Sequence, residues 1–352
     1  MKVFKKLLVG LSITMMIGTV SLGAEKKALL IGVGNYGDDS DWCKTKAGND
    51  VLLMNRTVEK NGFHYTKSLT DQAATKTNVI STLKKFVDIL DTGDVFLFYF
   101  SGHGQLVKDQ NADEYDRFDE SLVLYGAPKY YSSSYGMENH LLDEELSNLL
   151  NDIQNKLGEE GELMVLIDAG FGHNNEAVTK GISRGDSDPY SDDLKNLKLK
   201  KAINGIIDDV PYDKPNENRA PLVEIVAVNA LGGAVDYHEN GLFTFAVAQS
   251  FDKITDSTSY QDFYESINEV CSLIDENQRP LVKGNLDRNV FKHVKSLSYL
   301  DTNVTRGNSV MTEEEAVQIE DLIIRTKEEG TKDKKRPNSK KVEFENIKMA
   351  NN

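Results

Sequence analysis

Apolar runs of strand length alternate with stretches of helical period along most of the chain. Residues 28–33 (ALLIGV) are an unbroken apolar run, the pattern of a β-strand covered on both faces. Residues 49–60 follow with Val51, Leu52, Met54 and Val58 at helical spacing, and residues 65–69 are a weaker strand. Residues 75–90 put Val79, Ile80, Leu83, Phe86, Val87 and Leu90 on one helical face. Asp94 then opens residues 95–100 (VFLFYF), the most strand-like run in the chain. Residues 105–125 are polar and predict a hairpin or loop excursion; residues 141–157 predict a helix and 163–167 (LMVLI) a further buried strand. This order predicts an α/β fold with a mostly parallel sheet and helices on both faces. Reactive groups then belong at the carboxyl ends of the strands.

Beyond this core the pattern changes. Residues 178–220 are rich in Asp, Lys, Asn, Ser and Gly and predict a long mobile loop with one short helix around 194–207. The sheet resumes at 222–228, helices are predicted over 242–250 and 260–274, and an edge strand over 279–282. From 295 to 352 the chain is a polar tail with one helical stretch at 313–327 and a charged, disordered end.

At the other end, Lys2, Lys5 and Lys6 precede an apolar run from 7 to 22, and the small residues Gly23 and Ala24 stand just before Glu25. That is the plan of an export signal over residues 1–24, with an uncleaved membrane anchor as the alternative. With the signal removed, the expected location is periplasmic or extracellular, with no membrane association. The core domain is then 27–292.

Composition narrows the partners. The 352 residues are 39% hydrophobic, enough for a sizeable core, and the formal net charge is -15. Such a chain is repelled by phosphate backbones and anionic lipid heads, which argues against nucleic acid and for basic peptides or divalent cations. The two cysteines, Cys43 and Cys271, allow one disulfide or two buried thiols but no disulfide scaffold.

Two strand ends carry candidate chemistry. In Phe100-Ser101-Gly102-His103-Gly104 a histidine sits between glycines straight after a buried strand, on a tight turn that lets a substrate come close. In Ile167-Asp168-Ala169-Gly170-Phe171-Gly172-His173 a second small-residue turn follows another buried strand. Parallel strands ending this way are where a nucleophile and its base would meet. Gly32-x-Gly34-x-x-Gly37 has the letters of a dinucleotide fingerprint, but Asp38, Asp39 and Asp41 follow where a helix should start, which argues against nucleotide binding. His103, Asp168 and His173 match no usual zinc spacing.

With the Ser-Gly-His-Gly and Asp-x-x turns in hand, the chain resembles the caspase/metacaspase family of cysteine peptidases. Further segments agree in order: 28–35 (ALLIGVGN), 47–51 (AGNDV), 118–122 (FDESL), 141–146 (LLDEEL), 240–245 (NGLFTF) and 278–280 (QRP). The resemblance covers residues 27–292 and implies a three-layer α/β/α sandwich around a mostly parallel six-stranded sheet. It implies acyl transfer, which needs no cofactor: a cysteine thiolate attacks the scissile carbonyl, His103 exchanges protons, and the amides of Gly104 and position 170 stabilise the oxyanion. It also implies that Asp50 and Asp168, with Ser101 beside them, receive an Arg or Lys side chain of a peptide or protein substrate. Calcium, which many metacaspases use, would fall on Asp143 and Glu144, residues that an ordinary acidic helix start explains as well. The departure is at Gly170, which stands at the nucleophile position and has no side chain. Losing a nucleophile costs about 10⁶-fold in turnover, so the chain is expected to be a silenced peptidase. Gly170→Cys is expected to restore cleavage after Arg or Lys.

Overall fold

The computed structural model describes residues 24–38, 40–108, 118–131, 134–171, 185–187, 218–228 and 234–291. The leader up to residue 23, the helix at 194–207, His173 and the tail helix at 313–327 lie outside the described residues. All described residues fall in one compact unit, 1–297.

In chain order the elements are β1 (Lys26–Gly32), α1 (Ala47–Lys60), β2 (Phe63–Thr70), α2 (Lys76–Ile89), β3 (Val95–Ser101), β4 (Gly104–Lys108), β5 (Phe118–Val123) and β6 (His140–Leu142). There follow α3 (Asp143–Leu157), β7 (Glu162–Asp168), β8 (Gly185–Ser187), β9 (Leu222–Val226), β10 (Asp236–Tyr237), β11 (Asn240–Gly241), α4 (Leu242–Phe251), α5 (Tyr260–Ile274) and β12 (Leu281–Gly284). Six strands form the main sheet in the order β12-β9-β7-β3-β1-β2. Its pairs are parallel except β12 with β9, so the expected mostly parallel six-stranded sheet is what is found.

Side chains alternate between the two faces of each strand. Leu29, Ile31, Phe96, Phe98, Phe100, Val165 and Ile167 pack on one face with Leu83 and Phe86 of α2 and Leu150 and Ile153 of α3. Leu30, Leu97, Tyr99, Met164 and Leu166 pack on the other with Met54 of α1, Phe243 of α4 and Phe263 of α5. Every residue of β3 is buried, which is why its sequence reads as one apolar run rather than an alternation. Burying each Phe of that run contributes about 1.5–3 kcal/mol.

A smaller sheet, β6-β5-β4-β8, stands on the excursion after His103. Its β4 and β5 pair antiparallel, as a hairpin should, and β8 adds three residues of strand inside the stretch expected to be loop. The last strand begins two residues later than expected. Pro280 has no N–H to give a ladder, so pairing with β9 starts at Leu281. Both cysteines are free: Cys271 is buried, but Cys43 is exposed, which corrects the reading of two buried thiols and removes the disulfide. Among the described residues no helix is long and apolar enough to cross a membrane.

Candidate active site

The parallel register sets Gly32, Ser101 and Asp168 side by side, the last residues of β1, β3 and β7. Glycine at 32 is required here. A Cβ would lie 2.6 Å from the Val51 Cγ2 methyl and 2.7 Å from the Ala47 carbonyl, so the bare backbone is what lets the first turn of α1 settle onto the strand end. That approach delivers Asp50, fully buried, to Ser101: the Ser101 hydroxyl donates to Asp50 Oδ2 at 2.7 Å.

Asp50 and Asp168 both bind the start of α4. Asp50 Oδ1 accepts from the Gly241 amide at 2.7 Å and from Asn240 Nδ2 at 3.1 Å. Asp168 Oδ2 accepts from the Thr244 amide at 3.0 Å and the Thr244 hydroxyl at 2.5 Å. Because Thr244 Oγ1 donates to the carboxylate, it accepts from Tyr99 OH, 2.6 Å away. The first amides of a helix have no partner within it and carry its positive dipole end. Two carboxylates therefore satisfy the N-terminus of α4 and fasten it across the ends of β3 and β7. Asp50 and Asp168 thus meet the same helix start as buried capping groups.

His103 is held on three sides. Its backbone N–H donates to Tyr36 OH at 2.7 Å, and its ring stacks on Trp42 at 4.8 Å between centroids and 29° between planes. Its Nε2 lies 2.8 Å from the carbonyl of Cys43. A carbonyl only accepts, so Nε2 carries a proton and, in the neutral ring, Nδ1 carries the lone pair. That is the tautomer a general base needs. Trp42 is itself fixed by its indole N–H donating to the Ala127 carbonyl at 3.0 Å. Tyr36, Trp42, the Cys43 carbonyl and the role of Thr244 were not found by reading the sequence; the lone Trp, just past the first strand, was the available signal.

The nucleophile turn is close-packed against this histidine turn. The Gly104 amide, an expected oxyanion donor, gives its proton to the Gly170 carbonyl at 3.1 Å. Phe171 is buried, and a Cβ on Gly104 would lie 2.6 Å from both the Gly170 oxygen and the Phe171 ring. The arrangement holds the His103 imidazole in a defined tautomer, opposite a turn with glycine at position 170 and with the Gly104 amide engaged.

Asp143 and Glu144 open α3. Asp143 is buried near Asp119 and Glu120, which are buried too. Burial above all, then the charges of Glu120 and Glu144, a hydrogen bond with Glu144 and the charge of Asp119, push the Asp143 carboxyl far above the usual range. Oxygen donors suit calcium. Among the described residues, however, no group of three or more His, Cys, Asp or Glu side chains is placed to hold an ion. Asp119, Glu120, Asp143 and Glu144 are nevertheless close enough for their charges to act on one another. Asn35, Gly37, Asp38, Thr70, Asp71, Gln72 and Tyr125 line an open cleft of about 380 Å³. It adjoins Tyr36 along the loop after β1.

A three-layer α/β/α sandwich with a histidine turn and a small-residue turn at the ends of neighbouring parallel strands is the frame of a cysteine-peptidase-like domain. A model of the caspase domain matches residues 25–291, and the chain belongs to that family. It is 32% identical over 156 residues to Metacaspase-1 of Plasmodium falciparum, covering 41% of this chain and 23% of the relative. It is 27% identical over 241 residues to Metacaspase-1 of Plasmodium berghei, covering 62% of this chain and 36% of the relative. It is 34% identical over 109 residues to Metacaspase-2 of Arabidopsis thaliana, covering 28% and 25%. The chain thus spans about a quarter to a third of these relatives' lengths. The fold is similar to the crystal structure of a Geobacter sulfurreducens protein at 20% identity, with a TM-score of 0.57 over 77% of this chain and all of that one.

Proposed function

We propose that this chain is an exported caspase-family protein that no longer cuts peptides and acts by binding protein segments rich in Arg and Lys. The observation that carries the reading is glycine at position 170, opposite a properly held His103. Two contacts support it: the Gly104 amide is engaged by the Gly170 carbonyl, and Phe171 fills the adjoining space. The preference for basic segments rests on the net charge of -15 and on the cleft holding Asp38 and Asp71 beside the Tyr36 loop. Nucleic acid is disfavoured on the same charge. Calcium is not required for this function. The test is direct. Labelled Arg- and Lys-containing peptides are mixed with the protein, with and without calcium, and followed by anisotropy and by mass spectrometry. Binding without any new peptide fragment is expected. Cleavage by the purified chain that Gly170→Ala leaves unchanged and His103→Ala abolishes would refute the silenced reading; no binding to any basic peptide would refute the partner class.

A further inference from the structure

The opposite end of the sheet from His103 holds a charged corner that the candidate active site does not use. Glu25 stands just before β1. Its backbone N–H donates to Asp94 Oδ1 at 2.8 Å, and its carbonyl accepts from the Val95 amide at 2.8 Å. Asp94 is buried, and its other oxygen takes Lys27 Nζ at 2.5 Å and the Asp91 amide at 3.0 Å. Lys27 also pairs with Glu25 Oε2 at 2.8 Å. One cation therefore faces two carboxylates, the buried Asp94 and the exposed Glu25, leaving a net negative charge. Lys26, Glu162 and Lys156 lie at the same end of the sheet, with Asp91 and Glu160 in the turns before β3 and β7. Lys26 points to the opposite face of β1, where its Nζ bonds the Asn61 carbonyl at 3.0 Å and lies over the Phe291 ring. Glu162, at the start of β7, receives Tyr260 OH and the Phe291 amide. The Lys156 carbonyl of α3 accepts from the Thr92 hydroxyl.

The bond between Ala24 and Glu25 is also where small residues end the leader's apolar run. We propose that this bond is the processing site and that the α-ammonium of Glu25 formed there seats on Asp94 as the second cation of the corner; this rests on reading residues 1–24 as a cleaved export leader. A leader peptidase adds water across the amide bond. The hydroxyl goes to the Ala24 carbonyl carbon, which leaves as a carboxylate, and the Glu25 nitrogen takes up protons to become an ammonium. The nitrogen already points at Asp94 Oδ1, so the amide–carboxylate hydrogen bond becomes an ammonium–carboxylate ion pair at the same place in the chain. The corner then holds two cations and two carboxylates.

The sign of the pH dependence follows. A free α-amine has a pKa of about 7.7–8.0 in an unfolded chain, and a carboxylate partner raises it in the fold. Its contribution is complete below the unfolded value and is lost as pH rises through the higher folded value. Burial works against the Lys27 ammonium, but its hydrogen bonds to Asp94 and Glu25 outweigh that and raise its pKa, so Lys27 stays charged while the amine titrates.

Two measurements test this. The full chain is expressed in an exporting bacterium and its intact mass determined. A mature protein beginning at Glu25 is expected; a leader removed at any other bond overturns the processing site while leaving export intact, and an uncleaved leader overturns both. Separately, residues 25–352 are prepared with a free and with an acetylated α-amine, alone and with Asp94→Asn, and melted at pH 6.5 and pH 10. The free amine should raise Tm at pH 6.5 by about 2–5 °C, with the gap closing at pH 10 and absent in Asp94→Asn. Equal Tm for the free and acetylated chains at pH 6.5 would overturn the seat on Asp94, whatever the Asp94 variant does.

Discussion

His140 on β6 gives the sharpest test of the packing behind the histidine turn. The ring is fully buried, with Nε2 2.8 Å from Gln105 Oε1 and Nδ1 3.2 Å from Tyr135 OH. Gln105 Oε1 only accepts, so Nε2 carries the proton and Nδ1 accepts from Tyr135; the imidazole is neutral and satisfied. Burial first, and the charge of Lys76 second, hold its pKa down to about 3 from 6.5. In the unfolded chain the same ring titrates near 6.5. Between those values the unfolded chain binds a proton that the folded chain does not. The folded state is therefore favoured fully above the unfolded pKa and loses that advantage as pH falls toward the folded one. Each pH unit in the window is worth about 1.4 kcal/mol, so at pH 5 the loss is about 2 kcal/mol. Urea unfolding of the native chain and of His140→Gln, from pH 7.5 to pH 5, reads this directly. The variant starts lower at pH 7.5, because it gives up buried hydrogen bonds. Its stability should then fall less steeply below pH 6.5, by about 1.4 kcal/mol per pH unit. All other titrating groups are shared, so their contributions cancel. Parallel curves would refute the buried neutral ring.

Three further outcomes are expected. Ellman's reagent should titrate one thiol of the native protein rapidly, the exposed Cys43, and the second only after denaturation, because Cys271 is buried and its thiol pKa is pushed up by burial and by Asp168 and Asp275; two fast thiols would contradict this. Gly104→Ala should destabilise the protein by about 1–3 kcal/mol in urea melts, since its Cβ would meet the Gly170 oxygen and the Phe171 ring at 2.6 Å; an unchanged midpoint would mean the two turns are not packed together. The single tryptophan, Trp42, stacks on His103, so its fluorescence intensity at a fixed pH should change in His103→Ala; identical spectra in both would remove the stacking.

The buried centre of the fold was legible because its strands are covered on both faces. The run of β3 and the run at 163–167 have no polar interruption, and nothing but an interior strand suits them. β2 was weaker because it is an edge strand: only Phe63 and Leu69 are buried, so its sequence carries little pattern. The three residues of β8 have no apolar signature and take their conformation from pairing with β4. At the site, His103 and Asp168 were visible as polar residues on tight turns after buried strands. Asp50 was visible only through the family resemblance, because its partners Ser101 and Gly241 are 51 and 191 positions away. The same distance problem hid Thr244 and Tyr36: a hydroxyl that meets its partner only after the sheet has assembled leaves no local trace in the chain.

The most direct measurement is cleavage of fluorogenic Arg and Lys peptides by the native chain, by Gly170→Cys and by Gly170→Cys with His103→Ala. The expected result is no turnover by the native chain and His103-dependent cleavage by Gly170→Cys, slow because the Gly104 amide must first release the carbonyl of residue 170. Turnover by the native chain that disappears with His103→Ala alone would contradict the central claim, since it would mean that a nucleophile other than residue 170 works in this site.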